Sequence, residues 1–260
     1  MARRSSRVHD EPAFVVHHYD WSESSLIVDV FTRHHGRLAL VAKGAKRPAS
    51  ALRPLLVALL PLRLDWGGGE ELPVVKAAHW VGGHVLPQEQ ALWAGLHLNE
   101  LVLRLLPRGE AFPMLFDAYA AAVRALAQGA PPAPLLRAFE LMLLHAQGWL
   151  PDLAIEAATR RPLQAQRPYR LVAEHGLIAD ARAALLGAQW MALQAALQSP
   201  DPWSALHAGA AETLASAALR TQLRALLHYH SGVRAWHARE MMRELRRLWS
   251  ASHRPDELEP

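Results

Sequence analysis

No cysteine occurs anywhere in the 260 residues, which excludes disulfides, thiolate nucleophiles, iron–sulfur clusters and cysteine-ligated zinc together. Any metal would have to sit on histidine and carboxylate ligands. The chain also lacks a leader pattern at its start, since Ala2 to Pro12 is polar and basic with no apolar core or cleavage site. Uncharged apolar runs of membrane-spanning length are missing too, because Arg or Glu interrupts each candidate. A cytoplasmic protein is the expectation. There is no G-x-x-x-x-G-K-[ST], no G-x-G-x-x-G and no G-x-S-x-G, so nucleotide hydrolysis and esterase chemistry find no motif.

What is present is enough to build a real core, with 51% hydrophobic residues, 28 Lys+Arg against 24 Asp+Glu and a net charge of +4. That charge permits a polyanionic partner without demanding one. Its distribution is more informative. Residues 1–53 carry nine basic and five acidic side chains and residues 220–254 carry eight and two, so both ends are basic and the middle is acidic.

The hydrophobic pattern changes once along the chain. Ser25 to Thr32 and Gly36 to Lys43 alternate as strands do, and Ala13 to Tyr19, Leu59 to Trp66 and Leu72 to Trp80 bring the count to about five. Turn residues separate them at Asp20 to Glu23, His35-Gly36 and Gly67 to Gly69. Five short strands in roughly seventy residues suit a small closed barrel, with the OB-fold as the leading case. From Pro87 onward the spacing is helical: Ala91, Ala94, Leu98, Leu101, Val102 and Leu105 share a face until Pro107. Further helices are expected near Ala111 to Ala127, Pro134 to Gln147, Ala181 to Gln198, Ser204 to His228 and Val233 to Ser250, with 151–178 irregular. The predicted fold class is α+β and multidomain, with an N-terminal OB-fold β-barrel over 1–82 followed by a mostly α-helical domain over 83–260.

Three groups of side chains stand out. Arg37, Lys43, Lys46, Arg47 and Arg53 fall on one strand and the loop after it, with Gly44, Pro48, Ala49 and Ser50 between them. Such a loop suits a phosphate backbone, each cation displacing a condensed counterion, while Trp21 or Trp66 offers a stacking face for an unpaired base. An ordinary solvated loop is the alternative. Arg239, Arg243, Arg246 and Arg247 recur every three or four residues near the end, either as a solvated face or as an extended DNA path. Arg137, flanked by Leu136 and Phe139, combines a cation with apolar neighbours, which suits a partner's acidic and aromatic C-terminal tail; a core helix with one exposed Arg is the bland reading. The histidines offer less. In His17-His18-Tyr19-Asp20 and His34-His35, strand neighbours face opposite sides, so each pair gives one ligand to a given site. His228, His230 and His237 read as a basic helix end, and neither metal nor cofactor is expected.

Ala13-Phe14-Val15-Val16-His17, Trp21 to Leu26, Asp29 to Thr32, and Gly36 to Leu38 through Val41 to Ala45 resemble, in order and spacing, the N-terminal barrel of the RecO family. Leu98 to Leu101, Leu136-Arg137 with Phe139 to Leu141, and Glu174 to Leu177 resemble that family's helical domain, and Ser231-Gly232 with Arg239-Glu240 match less specifically. The resemblance implies a non-enzymatic DNA-repair and recombination mediator, cytoplasmic and nucleoid-associated. Such a protein binds single- and double-stranded DNA, anneals strands, and works with RecR and RecA on DNA coated by single-stranded-DNA-binding protein. Arg137 stands where the family has an arginine that contacts the tail of that coating protein. Many relatives carry zinc-binding cysteines where this chain has Ala154 to Ile178, so packing by Leu163, Tyr169 and Leu171 must hold the segment instead. A metal-dependent hydrolase built on the histidines and a protein adaptor without DNA binding are the rival classes.

Overall fold

The computed structural model describes residues 7–69, 72–232 and 236. Five strands, β1 (Val8–Asp20), β2 (Leu26–Thr32), β3 (Gly36–Ala42), β4 (Pro61–Gly67) and β5 (Val74–Trp80), form a closed barrel in the order β1-β2-β3-β5-β4. All pairings are antiparallel except β3 with β5, which run parallel and meet at Val41 and Val74. Alternation in the sequence becomes two faces. Ala13, Val15, Val28, Val30, Leu40, Leu62 and Leu64 fill the barrel interior, whereas Phe14, Val16 and Phe31 point outward into a second core shared with the helices.

The helices are α1 (Glu89–Leu105), α2 (Pro113–Ala127), α3 (Pro132–Ala146), α4 (Gly187–Leu197), α5 (Pro202–Gly209), α6 (Ala211–Ala215) and α7 (Ala217–Ser231). Prolines open α2, α3 and α5, where a missing N–H costs nothing. Side-chain caps start α5 and α7, with Asp201 accepting from the Ser204 N–H at 3.2 Å and Ser216 from the Leu219 N–H at 3.1 Å. None of the described helices is long and apolar enough to cross a membrane.

Two helical expectations need correction. The helix expected from Ala181 begins only at Gly187, because the preceding residues are pulled into extended pairing: Tyr169 donates its N–H to the Leu185 carbonyl and Gly187 to that of Arg167, each at 2.9 Å. The single helix expected over Ser204 to His228 is three, interrupted at Ala210 and Ser216. Burying Leu206, Leu214, Leu219 and Leu223 in one core requires the chain to turn twice there. The helix expected over Val233 to Ser250, with Arg239, Arg243, Arg246 and Arg247, lies outside the described residues.

A hairpin of β6 (Tyr169–Val172) and β7 (Gly176–Ala179) organises the cysteine-free segment. Leu163, Tyr169 and Leu171 are buried there. The Tyr169 hydroxyl accepts from the Gln164 N–H at 3.1 Å, and its carbonyl accepts from Trp190 Nε1 at 3.2 Å. One enclosed ring thus ties three parts of the chain together.

Barrel and helices meet through aromatic side chains. Phe14 and Phe31 lie 4.9–5.8 Å, centroid to centroid, from Phe116 and Tyr119 of α2, within the range of favourable tilted and edge-on pairs. A bulge at Val16 leaves that residue without a partner on β2; its carbonyl accepts from Asn99 Nδ2 at 3.3 Å, and Asn99 Oδ1 accepts from the Tyr119 hydroxyl. Burial raises the Tyr119 pKa far above the usual range, so this hydroxyl remains a donor. At the β2–β3 turn, Gly36 adopts φ +68°, and a Cβ there would lie 1.9 Å from the Glu110 carbonyl oxygen.

Gly36→Ala is expected to cost about 2–4 kcal/mol, since a left-handed backbone and an overpacked contact add. Gly129→Ala, also at positive φ but with open space around it, should cost only about 1–2 kcal/mol. Urea unfolding midpoints of the two variants test this ordering.

Candidate nucleic-acid interface

The β1–β2 turn and the loop after β3 are stitched together by serines. Trp21 and Ser22 donate their N–H groups to the Ser25 carbonyl at 3.2 and 3.3 Å, Gly44 donates to Ser25 Oγ at 3.3 Å, and Lys46 donates to the Ser24 carbonyl at 3.0 Å. Gly44 takes φ +69° to make the bend. Between the loops lies a cleft of about 350 Å³ lined by Trp21, Ser22, Ser24, Ser25, Val41, Lys43, Gly44 and Arg47. Trp21 is 58% exposed, and Lys43 and Arg47 are exposed as well. An aromatic face, two cations and several hydroxyls therefore converge on one concavity. That donor set suits a phosphate with a base beside it.

The other expected cations separate. Lys46 is drawn to the Asp20 carboxylate at 3.1 Å and the Ser22 carbonyl at 3.2 Å, at the rim of the cleft. Arg53 lines a different hollow, of about 460 Å³, with His17 and His18. Arg37 departs from the expectation. Its side chain is only 13% exposed, with Nε donating to the Leu106 carbonyl at 3.0 Å and Nη1 3.5 Å from Asp29 Oδ1. Burial lowers its pKa and the Asp29 carboxylate opposes that. Asp29 lies diagonally across the hairpin, and a fully buried carboxylate needs a cation more than a loop does.

Two residues around this ion pair escaped sequence reading. Arg108, in the α1–α2 loop, brings Nη2 to 3.2 Å from Asp29 Oδ1, and its backbone bridges to Arg37 beside β3. Tyr19 stands 45% exposed beside them; burial and the Asp29 carboxylate raise its pKa, so it is a neutral phenol. His17 lies edge-on to Tyr19 at 4.5 Å, its pKa lowered by burial and by His18. The alternation His17, Tyr19, Trp21 was visible in the sequence as a signal for one face. Nothing in the sequence brought Arg108 to it.

Arg137 is also placed differently from the expectation. Its side chain is 3% exposed and paired with Glu140 one turn along the same helix, and His97 Nε2 lies 3.6 Å from Glu140 Oε1. Burial disfavours the Glu140 charge, but Arg137 and His97 outweigh it and hold the carboxyl down at about 2. Trp236 closes over this group, 5.7 Å from His97 and 6.0 Å from the Arg104 guanidinium. Leu136 is half-buried and Phe139 fully buried. In this conformation the three belong to the helical core, because Glu140 supplies the carboxylate that an outside tail was expected to bring.

Comparison with known proteins gives a consistent result. A family profile described as "Recombination protein O N terminal" matches residues 7–84, and one described as "Recombination protein O C terminal" matches 89–239. A DNA repair protein RecO from Variovorax paradoxus (strain S110) is 52% identical over 93% of this chain and 98% of its own. Proteins of the same name from Polaromonas naphthalenivorans (strain CJ2) and Delftia acidovorans (strain DSM 14801 / SPH-1) are 53% and 51% identical, each over 94% of this chain and 99% of their own.

Arg137→Ala should destabilise the fold by about 3–5 kcal/mol, because it removes the guanidinium that pairs with the enclosed Glu140 carboxylate. The Glu140 carboxyl titrates below its ordinary 4.5, so its contribution is complete above about pH 4.5 and is lost as pH falls toward 2. Urea unfolding across that window should show the loss in the parent and a flatter acid limb in Glu140→Gln.

Proposed function

The chain belongs to the RecO family of DNA repair proteins, and on that premise we propose that it binds single- and double-stranded DNA as a non-enzymatic recombination mediator. The cleft of Trp21, Lys43 and Arg47 carries this reading. We take the chain as a barrel unit over 1–82 and a helical unit over 83–260, and the barrel as an OB-fold, supported by its strand order and its parallel β3–β5 pairing. In that fold the second and third strands and the loops between strands one and two and between four and five are the usual oligonucleotide surface.

The chemistry is binding alone. Lys43, Arg47 and, once freed from Asp20, Lys46 neutralise phosphates and release counterions. Two strands held near one basic surface repel each other less and meet at a raised effective concentration, so annealing proceeds without nucleotide hydrolysis. RecR, the C-terminal tail of single-stranded-DNA-binding protein and, indirectly, RecA are the partners this reading carries. A tail carboxylate directed to Arg137, Leu136 and Phe139 would have to displace Glu140. Arg239, Arg243, Arg246 and Arg247 remain candidates for a longer DNA path.

Replacing Lys43, Lys46 and Arg47 together by Ala should weaken binding of a labelled single-stranded oligonucleotide and reduce the log–log salt slope by about two, at roughly 0.7 per lost phosphate contact. Fluorescence anisotropy over a salt series reads both. An unchanged slope would remove this loop from the DNA path, and no binding by the parent at low salt would leave the protein-adaptor reading.

A further inference from the structure

The outer face of the barrel is divided. Around Phe14 and Phe31 it is covered by α2, but its other half carries Tyr19, with Ile27 and Ala39 half-buried beside it. Tyr19 and Trp21 are two residues apart at the end of β1 and both are among the most exposed large rings. At the far side Arg108, its side chain 59% exposed, shares the buried Asp29 with Arg37. Two guanidiniums on one carboxylate leave a local excess of one positive charge. Asp29 therefore fixes Arg108 in place without cancelling the charge of the group.

Resting on the DNA-binding reading above, we infer that an unpaired strand leaving the loop cleft crosses this open sheet face, stacks a base on Tyr19 and sets a phosphate against Arg108. The face has the dimensions for it: Arg37 to Lys43 along β3 and its extension spans about 20 Å at roughly 3.3 Å per residue, room for several nucleotides in an OB-type site. His17 backs the Tyr19 ring edge-on, so little side-chain freedom is lost when a base arrives. Because Arg108 comes from the α1–α2 loop, the barrel and the helical region hold one strand jointly. A duplex keeps its bases paired and has no use for Tyr19, so this arm of the site distinguishes unpaired from paired DNA.

The test is anisotropy with matched single-stranded and duplex oligonucleotides for Tyr19→Ala, Tyr19→Phe, Arg108→Ala and the Lys43→Ala/Arg47→Ala double variant. Thermal melting of each confirms that it folds. Tyr19→Ala should lose about five-fold or more in single-strand affinity, the lower end of a base-stacking contribution, with much less loss on duplex, and Tyr19→Phe should recover most of it. Arg108→Ala should lower the salt slope by about one contact. If both positions behave as the parent while the Lys43/Arg47 variant is weakened, the sheet-face path is wrong and the loop reading stands. If equal losses on single strand and duplex follow Tyr19→Ala, base stacking is wrong. A parent that binds neither DNA removes the reading on which this path rests.

Discussion

The barrel is held to the helices at a seam where part of its outer face is pressed against α1 and α2. Phe14, Phe31, Phe116 and Tyr119 supply the strength, since each buried large apolar side chain is worth about 1.5–3 kcal/mol and each aromatic pair about 0.5–1.5 more. The Tyr119–Asn99–Val16 chain contributes less net energy but fixes the alignment. A slip at the seam would leave an enclosed carbonyl or amide without its partner, at about 1–3 kcal/mol for each. By covering one half of the face the seam leaves the other half open, and it brings the α1–α2 loop alongside β3, where Arg108 meets Asp29.

Positive charge meets carboxylates in two ways here: Lys46 and Arg108 share theirs from more open positions, while others are enclosed with theirs. Arg37 and Arg137 each find one at close range, Asp29 diagonally across a hairpin and Glu140 one helical turn away. Both pairs are drawn into apolar surroundings, where breaking them costs more than a surface ion pair ever returns. Lys43 and Arg47 stand over serines and a glycine instead. Both are exposed there, and no carboxylate is among the residues lining that cleft.

Much of the barrel was legible because a period of two residues leaves only one way to face each strand: Ser25 to Thr32 and Gly36 to Lys43 became β2 and β3 almost as read. The nearness of Trp21 to Lys43 was legible in part, since each directly follows a strand end, while Arg47 reaches the same cleft from further along the loop after β3. The helical region was less so. A face repeating every three or four residues cannot reveal that Ala210 and Ser216 turn the chain, because those turns answer to a core assembled from distant segments. The burial of Arg37 and Arg137 was hidden in the same way, as their carboxylates count only once the fold has enclosed them. Arg108 was invisible, its meaning lying in a bridge across seventy residues.

The proposed function puts DNA on the half of the barrel face that the helices leave open. Hydrogen–deuterium exchange with and without a saturating single-stranded oligonucleotide tests it directly. Slowed exchange is expected at 19–27, 39–47 and 106–110, with no change in the β6–β7 hairpin. Protection confined to the helices, with the β1–β2 turn and the loop after β3 unaffected, would contradict it.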